Sequence, residues 1–393
     1  MELFASSPIK VHSLTGRITP ALVHAAFKAV KRNRGAAGID RVSLKMFEAN
    51  LAENLDSILR DLKDGSFQPK PLRRHFIDKG NGKLRPLGIP AVRDRVAQEV
   101  LRRLLNPIFE PKFHDASFGF RPKRNCHMAI ERALQEHENG FKTVLDADIS
   151  GFFDNLPHPV IMAAVAAEVA DGNILNLIEK FLRAGVMENG VFKPTTIGTP
   201  QGGVISPLLA NIVLNHLDWA LHEHGYRFLR YADDFVVLTQ SKSQAQEALT
   251  LVTHTLHKLG LQLSPEKTRI TTYGQGYAFL GFVLSSRSRR MREKSVQKFQ
   301  DRVRALTPRH HNLDAALLEE LNRVIRGTAL YFATGWSTTI WQLQRLDMWI
   351  RMRLRALKSK RKRITDNYRL PKAKLAQLGL LSLMNFWPNA PSP

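Results

Sequence analysis

The tetrapeptide Tyr231-Ala232-Asp233-Asp234 is the feature that most constrains this chain. It stands between two largely apolar runs, Tyr226–Arg230 and Phe235–Leu238, whose composition predicts the two strands of a β-hairpin. Adjacent carboxylates at a hairpin tip repel each other, so stability does not account for them. The plain alternative is that acidic residues simply favour turns. Two bound divalent cations would account for the pair, because phosphoryl transfer uses such ions to polarise an attacking hydroxyl and to neutralise a triphosphate.

A third carboxylate stands upstream, near the end of a short predicted strand. The strand covers Thr143–Ile149 and is followed by Ser150–Asp154. A single turn cannot surround two ions that lie about 3.5–4 Å apart, so a two-metal site needs carboxylates from more than one strand. Asp148 is therefore predicted to be the third ligand, and the carbonyl of Ile149 is predicted to supply a neutral oxygen.

A loop rich in glycine and proline, Gly198–Pro207, lies between these carboxylate segments. Such a loop lets the backbone approach a ligand closely, and the side chain of Gln201 is placed to hydrogen-bond a base or a sugar. The apolar stretch that follows, Leu208–Leu217, predicts a helix. The alternative is an ordinary connection between a strand and a helix.

Taken with further motifs in the same order, these segments resemble the group II intron reverse transcriptases. The resemblance runs through nearly the whole chain, in the segments Lys31–Asp40, Lys83–Pro90 with Arg93–Arg95 and Gln98, Ser117–Pro122, the Asp148 segment, the Pro200–Gly202 loop, the Tyr231–Asp234 turn, Pro265–Thr268 and Phe279–Phe282. It implies a mixed α/β (α+β) right-hand polymerase fold with fingers, palm and a helical thumb. It also implies RNA-directed DNA polymerase activity.

The resemblance assigns the metal site and the sugar pocket. It implies that Asp148, Asp233 and Asp234 hold two Mg²⁺ ions, for which Mn²⁺ can substitute, and that deoxynucleoside triphosphates are the substrates. Phe153 lies where the family places an aromatic ring under the incoming sugar, and such a ring excludes a 2′-hydroxyl by collision. The alternative for Phe153 is a place in the core, a role that its neighbour Phe152 fits better.

Four further roles follow from the same resemblance. Arg85 and Lys79 resemble the fingers residues that grip the triphosphate. Arg73 is a candidate for packing on the templating or incoming base. Lys267 resembles the lysine that protonates the leaving pyrophosphate. The alternative for Lys267 is a solvated side chain after a turn.

Charge points to the partner independently. The formal net charge is +23, which favours a polyanion such as nucleic acid. One dense run carries no acidic residue between its ends: Arg351, Arg353, Arg355, Lys358, Lys360, Arg361, Lys362 and Arg363. It is predicted to follow a phosphate backbone, with a solvated helix face as the alternative. The expected partners are an RNA template, a DNA or RNA primer, and a structured intron RNA or other cognate RNA.

The rest of the composition argues against other classes of protein. No uninterrupted apolar run approaches the ~18–20 residues of a membrane span, so no membrane partner is expected. Cys126 is the only cysteine, which excludes an intramolecular disulfide and a cysteine-cluster zinc site. A single cysteine is compatible with the reducing cytoplasm of a bacterial cell.

The pattern of apolar residues predicts three parts. Residues 1–75 are expected to form a helical N-terminal extension and the start of the fingers, residues 76–288 the fingers and palm, and residues 289–393 a helical, maturase-type thumb with a basic C-terminal region. Longer members of the family carry a DNA-binding region and an endonuclease after the thumb. The short, endonuclease-lacking branch is therefore the expected comparison.

Two classes of function remain to be weighed. The sequence predicts an active reverse transcriptase that also assists the splicing of an intron RNA as a maturase. The alternatives are a domesticated relative in phage defence or DNA repair, and a non-catalytic RNA-binding splicing factor. The set Asp148, Asp233 and Asp234 favours the enzyme, because a binding protein has no use for carboxylates that repel each other.

Overall fold

A computed structural model of the chain describes residues 4, 9–80, 83–199, 202–308, 310–360 and 366–388. The backbone divides into two compact units, one that ends at Ile270 and one that begins at Thr271. Both units contain helices and strands, so the predicted mixed α/β class is confirmed. No helix in the described part of the chain is both long and apolar enough to span a bilayer.

The first unit opens with three helices: α1 (Pro20–Arg32), α2 (Leu44–Ala49) and α3 (Leu51–Lys63). The start of α1 is set locally, because Thr19 accepts a hydrogen bond from the amide of Leu22 and Pro20 occupies the first helical position. The apolar spacing along α1 and α3 predicts one buried face on each helix. The structure confirms this, with Ala26 and Phe27 buried on α1 and Ile58 on α3.

The remaining elements of the first unit alternate between strands and helices. In chain order they are β1 (Leu72–Gly80), β2 (Lys83–Ile89), α4 (Val92–Phe109), α5 (Cys126–Glu138), β3 (Thr143–Asp148), α6 (Phe152–Asn155), α7 (His158–Ala166), α8 (Gly172–Leu182), β4 (Val186–Glu188), β5 (Val191–Lys193), α9 (Ser206–Glu223), β6 (Arg227–Tyr231), β7 (Asp234–Thr239), α10 (Lys242–Lys258) and β8 (Arg269–Thr272). The boundary between the two units falls within β8.

These strands form two sheets. One has the order β2-β1-β4-β5, in which β1 pairs antiparallel with β2 and parallel with β4. The other, which we call the palm sheet, has the order β6-β7-β3-β8. Helix α10 packs against β3 and β7, and α9 packs against β6. Leu145, Phe235 and Val237 from the palm sheet are fully buried in the core of this unit, so the sheet is a rigid support for its own ends.

The second unit has a small antiparallel sheet and a group of helices. Its elements are β9 (Tyr277–Phe279), β10 (Phe282–Leu284), β11 (Arg289–Met291), α11 (Glu293–Leu306), α12 (Ala315–Phe332), α13 (Ile340–Ser359), α14 (Asp366–Arg369) and α15 (Lys372–Gln377). The ring of Phe282 lies 4.8 Å from that of Phe332 and 5.0 Å from that of Trp336, measured between centroids. Aromatic contacts therefore join the sheet to the helices within this unit.

Candidate active site

The predicted hairpin is present. The register of the palm sheet also brings the hairpin carboxylates close to a third carboxylate, that of Asp148. Strands β6 and β7 are joined through Ala232 and Asp233, with Tyr231 opposite Asp234. In the neighbouring pair, Asp148 at the end of β3 stands directly opposite Asp234 at the start of β7. Residues directly opposite in an antiparallel pair have Cβ atoms about 4.5–5.5 Å apart. The register therefore places Asp148 and Asp234 side by side at one end of the sheet.

The surroundings of Asp233 perturb the ionisation of its carboxylate. Its side chain is half-buried, and burial is the main reason that its pKa is raised above the ordinary value of 3.8. The charge of Asp148 raises the pKa further, whereas the charges of Arg85 and Lys267 oppose the rise. The ionised form of Asp233 therefore gains from any additional cation placed beside it.

Lys267 reaches the same site because its turn is anchored on the backbone of Asp148. The amide of Ser264 donates to the carbonyl of Asp148 at 2.7 Å, and the amides of Lys267 and Thr268 then donate back to the carbonyl of Ser264. This folds the predicted Pro265–Thr268 segment into a turn. The turn places Lys267 beside Asp148, and Nζ of Lys267 donates to Oδ2 of Asp148 at 2.7 Å in an ion pair.

The residues around this turn fit divalent cations that arrive with a nucleotide. No three or more His, Cys, Asp or Glu side chains among the described residues are arranged to hold a metal ion by themselves. The aspartates supply hard oxygen ligands, which Mg²⁺ and Mn²⁺ prefer. Mg²⁺ is commonly held by one or two carboxylates together with substrate phosphates, rather than by a cage of protein ligands. The carboxylate pair at the end of the palm sheet is such a partial site.

The backbone at Ile149 fits its predicted role as a ligand. An isolated antiparallel bridge joins Ile149 to Leu263. Its hydrogen bonds run from the amide of Ser150 to the carbonyl of Gln262 and from the amide of Ser264 to the carbonyl of Asp148. The carbonyl of Ile149 takes no part in this bridge, so pairing with the Gln262–Ser264 segment does not compete with a metal for it.

The two phenylalanines after Asp148 differ as the sequence predicts. Phe152 is only 2% exposed and belongs to the core, whereas Phe153 is half-buried and packs against the edge of that core. Their ring centroids lie 5.1 Å apart. Phe153 is thus only partly buried and follows the end of β3, and its predicted exclusion of a 2′-hydroxyl stays a prediction.

The loop before α9 is fixed on both sides of its central residues. The amide of Thr199 donates to the carbonyl of Phe153 at 2.7 Å. The amide of Val204 donates to Oε1 of the buried Gln98 at 2.7 Å. A Cβ on Gly202, which has φ +115°, would come within 2.4 Å of the carbonyl oxygen of Gly88, so only glycine fits there. Gln201, the predicted nucleotide contact, lies outside the described residues.

The predicted triphosphate and base contacts have different surroundings. Arg85 is exposed on β2, opposite Ile77, and its charge acts on Asp233. Lys79 lies at the irregular end of β1, and its side chain is outside the described part of the structure. Arg73 donates from Nε at 3.1 Å and from Nη2 at 2.7 Å to the carbonyl of Ala37. It therefore fastens the Lys31–Asp40 segment, and its contact with a base stays a prediction.

Part of the basic run serves the fold of the second unit. Arg353 donates from Nε to the hydroxyl and from Nη2 to the carbonyl of Thr307, both at 2.8 Å. Arg355 donates from Nε to the carbonyl of Leu370 at 2.9 Å. These two guanidinium groups stabilise local structure. The predicted phosphate-binding run therefore includes residues that bond within the protein instead.

Other cations of the second unit are better placed to meet a polyanion. Lys358 is exposed near the end of α13, and Arg345 is exposed thirteen residues earlier on the same helix. Arg361, Lys362 and Arg363 lie outside the described residues. Arg345 and Lys358 are the exposed cations of α13 from which contacts with phosphates can be tested.

Sequence reasoning missed the buried residues that contact the Tyr231–Asp234 turn. Arg230 and Asp218 form a buried ion pair, and Asn211 also accepts a hydrogen bond from Arg230. The available signal was a charged residue in the middle of apolar surroundings, once on β6 and once on α9. Gln98 was identified only as part of a motif, because its partners in the loop lie far away in sequence.

The fold and the site together define a polymerase-like protein, with carboxylates at the adjoining ends of two neighbouring strands of a mixed α/β palm. The chain matches the family model of the reverse transcriptase (RNA-dependent DNA polymerase) over residues 77–284, more than half of its length. It also matches the model of the group II intron, maturase-specific domain over residues 296–372. The chain belongs to the group II intron reverse transcriptase and maturase family.

Individual relatives agree with this assignment. Protein YkfC of Escherichia coli (strain K12) is 34% identical over 330 residues, which cover 73% of this chain and 87% of YkfC. The group II intron-encoded protein LtrA of Lactococcus lactis subsp. cremoris is 33% identical over 335 residues, which cover 67% of this chain and 55% of LtrA. Nuclear intron maturase 2, mitochondrial, of Arabidopsis thaliana is 24% identical over 293 residues, or 62% of this chain and 39% of that protein.

The family fixes the general activity. The chain is an RNA-directed DNA polymerase with a maturase-specific domain, as the motifs predicted. Divalent metal ions are general to reverse transcriptases, and the two domains imply RNA as a partner. The alternatives of a domesticated role in defence or repair and of a non-catalytic splicing factor are not favoured.

Proposed function

We propose that Asp148, Asp233 and Asp234 carry the nucleotidyl-transfer step of this reverse transcriptase. The observation that carries the proposal is the palm-sheet register that sets Asp148 directly opposite Asp234. The raised pKa of Asp233 supports it, because the folded chain disfavours the charge of this carboxylate and a cation beside it would offset that cost. Asp148 and Asp233 are the stronger pair of ligands in this proposal.

The proposed cofactor is Mg²⁺, bound as two ions that Mn²⁺ can replace. Asp148, Asp233 and Asp234 would hold them with the carbonyl of Ile149. When bound, the ions would polarise the 3′-hydroxyl of the primer and neutralise the triphosphate of the incoming deoxynucleotide. Asp148 and Asp234 orient this chemistry because β3 and β7 fix the backbone from which these two side chains project.

Lys267 is proposed to have two successive partners. Before a nucleotide binds, its ammonium group neutralises Asp148 at 2.7 Å. With that carboxylate holding a metal ion, the ammonium of Lys267 would be free to turn toward the triphosphate, where it would protonate the leaving pyrophosphate. The side chain is 60% exposed, so it can move without disturbing the core.

The nucleotide contacts are proposed as follows. Arg85 and Lys79 bind the triphosphate from the β1–β2 hairpin, and Gln201 bonds the base or sugar from the loop before α9. Phe153 excludes a 2′-hydroxyl, and Arg73 contributes to packing at the base. The charge of Arg85 already acts on Asp233, which supports its place beside the triphosphate.

The larger partners complete the proposal. The polymerase would use an RNA template with a DNA or RNA primer and would work in the cytoplasm of a bacterial cell. Residues 1–75 would form the N-terminal extension and the start of the fingers, residues 76–288 the fingers and palm, and residues 289–393 the thumb. The match to a maturase-specific domain over residues 296–372 supports binding of a structured intron RNA and assistance to its splicing.

Primer extension tests the polymerase assignment. Purified protein with Mg²⁺ should extend a DNA primer on an RNA template, and Asp233→Asn should abolish extension while RNA binding survives. The substitution removes a metal ligand and leaves the basic surface intact. Full extension by Asp233→Asn, with the same primer and template, would remove this turn from catalysis.

The maturase assignment has a separate test. RNA transcribed from the DNA that flanks the reading frame should bind the protein more tightly than an unrelated RNA of equal length. If that RNA splices, the protein should accelerate the splicing, and Asp233→Asn should do so equally well because splicing assistance needs no polymerisation. Equal affinity for both RNAs would contradict the assignment.

A further inference from the structure

The core beneath the catalytic turn contains a fully buried ion pair. Arg230, on β6, is 0% exposed and Asp218, on α9, is 1% exposed. The pair is bidentate, with Nε of Arg230 donating to Oδ1 of Asp218 at 2.7 Å and Nη2 donating to Oδ2. Buried ion pairs stabilise a fold no better than a well-packed apolar pair of the same size, because removing both charges from water is costly. Stability alone therefore does not account for the pair.

The third guanidinium nitrogen of Arg230 reaches the turn itself. Nη1 donates to the carbonyl of Ala232 at 2.9 Å and to Oδ1 of Asn211 at 2.9 Å. Ala232 has φ +60°, the left-handed conformation that residues with a Cβ seldom adopt. Its carbonyl is thus held by a donor whose own direction is fixed by Asp218. This is the peptide that leads directly into Asp233.

The preceding peptide, which joins Tyr231 to Ala232, lies against another backbone segment. A Cβ on Gly119 would come within 2.2 Å of the amide nitrogen of Ala232, so the two backbone segments are in direct contact. Asn211 secures this neighbour by donating to the carbonyl of Gly119 at 2.8 Å. The amide of Phe118 donates to the carbonyl of Arg230 at 2.8 Å, and the amide of Arg230 donates to the carbonyl of Ala116 at 2.9 Å. The turn is therefore enclosed between Arg230 and the 116–119 segment.

We propose that Arg230, aligned by Asp218, is a positioning residue for the catalytic turn. Its guanidinium holds the Ala232 peptide in the left-handed conformation and thereby sets where the carboxylate of Asp233 stands relative to Asp148. Without this hydrogen bond the strained peptide would relax, and Asp233 and Asp148 would no longer be placed to hold the proposed ions together. The inference rests on the proposed catalytic role of Asp233 and adds residues that touch neither metal nor substrate.

Two variants separate positioning from stability. Arg230→Lys keeps the charge beside Asp218 but loses the fork that reaches Ala232. The double variant Arg230→Met with Asp218→Leu removes both charges and leaves no unpaired ion in the core. Leu62→Ala, which truncates a fully buried side chain on α3, is the matched control for general destabilisation. Folded fraction is measured for each protein by circular dichroism, and all values are corrected for it.

Three quantities are then compared. The first is the single-turnover extension rate at saturating template–primer and nucleotide. The second is Mn²⁺ affinity, measured by electron paramagnetic resonance on the complex with a dideoxy-terminated primer and the next nucleotide. The third is amide hydrogen exchange of the peptide that contains residues 231–235. Both Arg230 variants should extend about 10- to 100-fold more slowly, bind Mn²⁺ several-fold more weakly and exchange faster in this peptide, with little change in the KM for nucleotide.

The outcomes decide the proposal one way or the other. The positioning role is overturned if either folded Arg230 variant has the same extension rate, Mn²⁺ affinity and hydrogen exchange as the parent. It is also overturned by a loss of activity that only follows the unfolded fraction, as expected for Leu62→Ala. If Asp233→Asn itself polymerises normally, the proposed catalytic assignment fails first; if it is inactive while the Arg230 variants behave like the parent, only the positioning role fails.

Discussion

The ammonium group of Lys267 lies 2.7 Å from Oδ2 of Asp148, at the end of β3. This ion pair joins a residue proposed to protonate the leaving group to a residue proposed to hold metal. The same carboxylate oxygen cannot serve two cations fully, so a metal ion bound to Asp148 would compete with Lys267. A bound nucleotide with its ions would shift that competition toward the metal.

Replacing Lys267 should separate metal binding from catalysis. Lys267→Ala should bind Mn²⁺ more tightly than the parent, because no ammonium competes for Asp148. The same variant should extend primers about 10²-fold more slowly or worse, because it lacks the proton donor for pyrophosphate. Metal titration by electron paramagnetic resonance and single-turnover extension measure the two effects. Weaker Mn²⁺ binding together with a parental rate would contradict both roles.

Local patterns in the sequence were sufficient to predict the hairpin that carries Asp233 and the strand that ends at Asp148. They did not predict that Asp148 stands opposite Asp234, because that register depends on pairing between strands far apart in the chain. The family resemblance supplied the roles of these residues, and the structure supplies their geometry. Arg230 escaped notice because an isolated charge in an apolar strand reveals nothing of the partner that α9 brings to it.

For the basic run from Arg351 to Arg363, the sequence pattern predicted more partner contacts than the structure supports. Charge density predicted a continuous phosphate-binding face, yet Arg353 and Arg355 bond to backbone and hydroxyl groups of their own unit. Sequence alone cannot separate a cation that binds a partner from one that caps or joins local structure. Only the positions of its potential acceptors, such as Thr307, decide between the two.

Phe153 gives a prediction about substrate selection. Phe153→Val should raise the efficiency of ribonucleotide incorporation by about 10- to 100-fold, with little change for deoxynucleotides, because only a collision is relieved. The measurement is the ratio of kcat/KM for the matched pair of triphosphates. Phe152→Leu is the control, since the ring of Phe152 is buried and faces the core. An unchanged ratio combined with a lower melting temperature would make Phe153 a core residue.

Asp233 gives a prediction about stability and pH. Its pKa is raised in the folded protein, so the fold favours the protonated form, and the free energy of unfolding falls as pH rises through the raised pKa. Asp233→Asn should therefore raise the melting temperature of the metal-free protein at neutral pH by about 1–3 °C. The gain should vanish below the ordinary pKa of 3.8, where both side chains are neutral. Calorimetry across this range tests it, and a variant less stable than the parent at neutral pH would contradict the raised pKa.

Helix α13 gives a prediction about nucleic-acid affinity. If Arg345 and Lys358 contact phosphates, replacing both with Gln should reduce the slope of log affinity against log salt by about 1.4–1.8. The loss should be similar for RNAs of different sequence, because phosphate contacts carry no base information. Arg353→Gln is the contrasting variant, expected to lower thermal stability and leave the slope unchanged. If the double variant has the same salt slope as the parent, Arg345 and Lys358 are solvated side chains that contact no phosphate.

The most direct test of the catalytic account compares two aspartates on the same strand. Asp148 ends β3, and Asp146, two residues earlier, is paired with Arg269 through an Oδ2–Nε distance of 3.2 Å. Each is replaced by Asn, and single-turnover extension of a DNA primer on an RNA template is measured with Mg²⁺ at saturating nucleotide. The account predicts a loss of about 10³-fold or more for Asp148→Asn and a rate within a few-fold of the parent for Asp146→Asn. Equal rates for the two variants would contradict it.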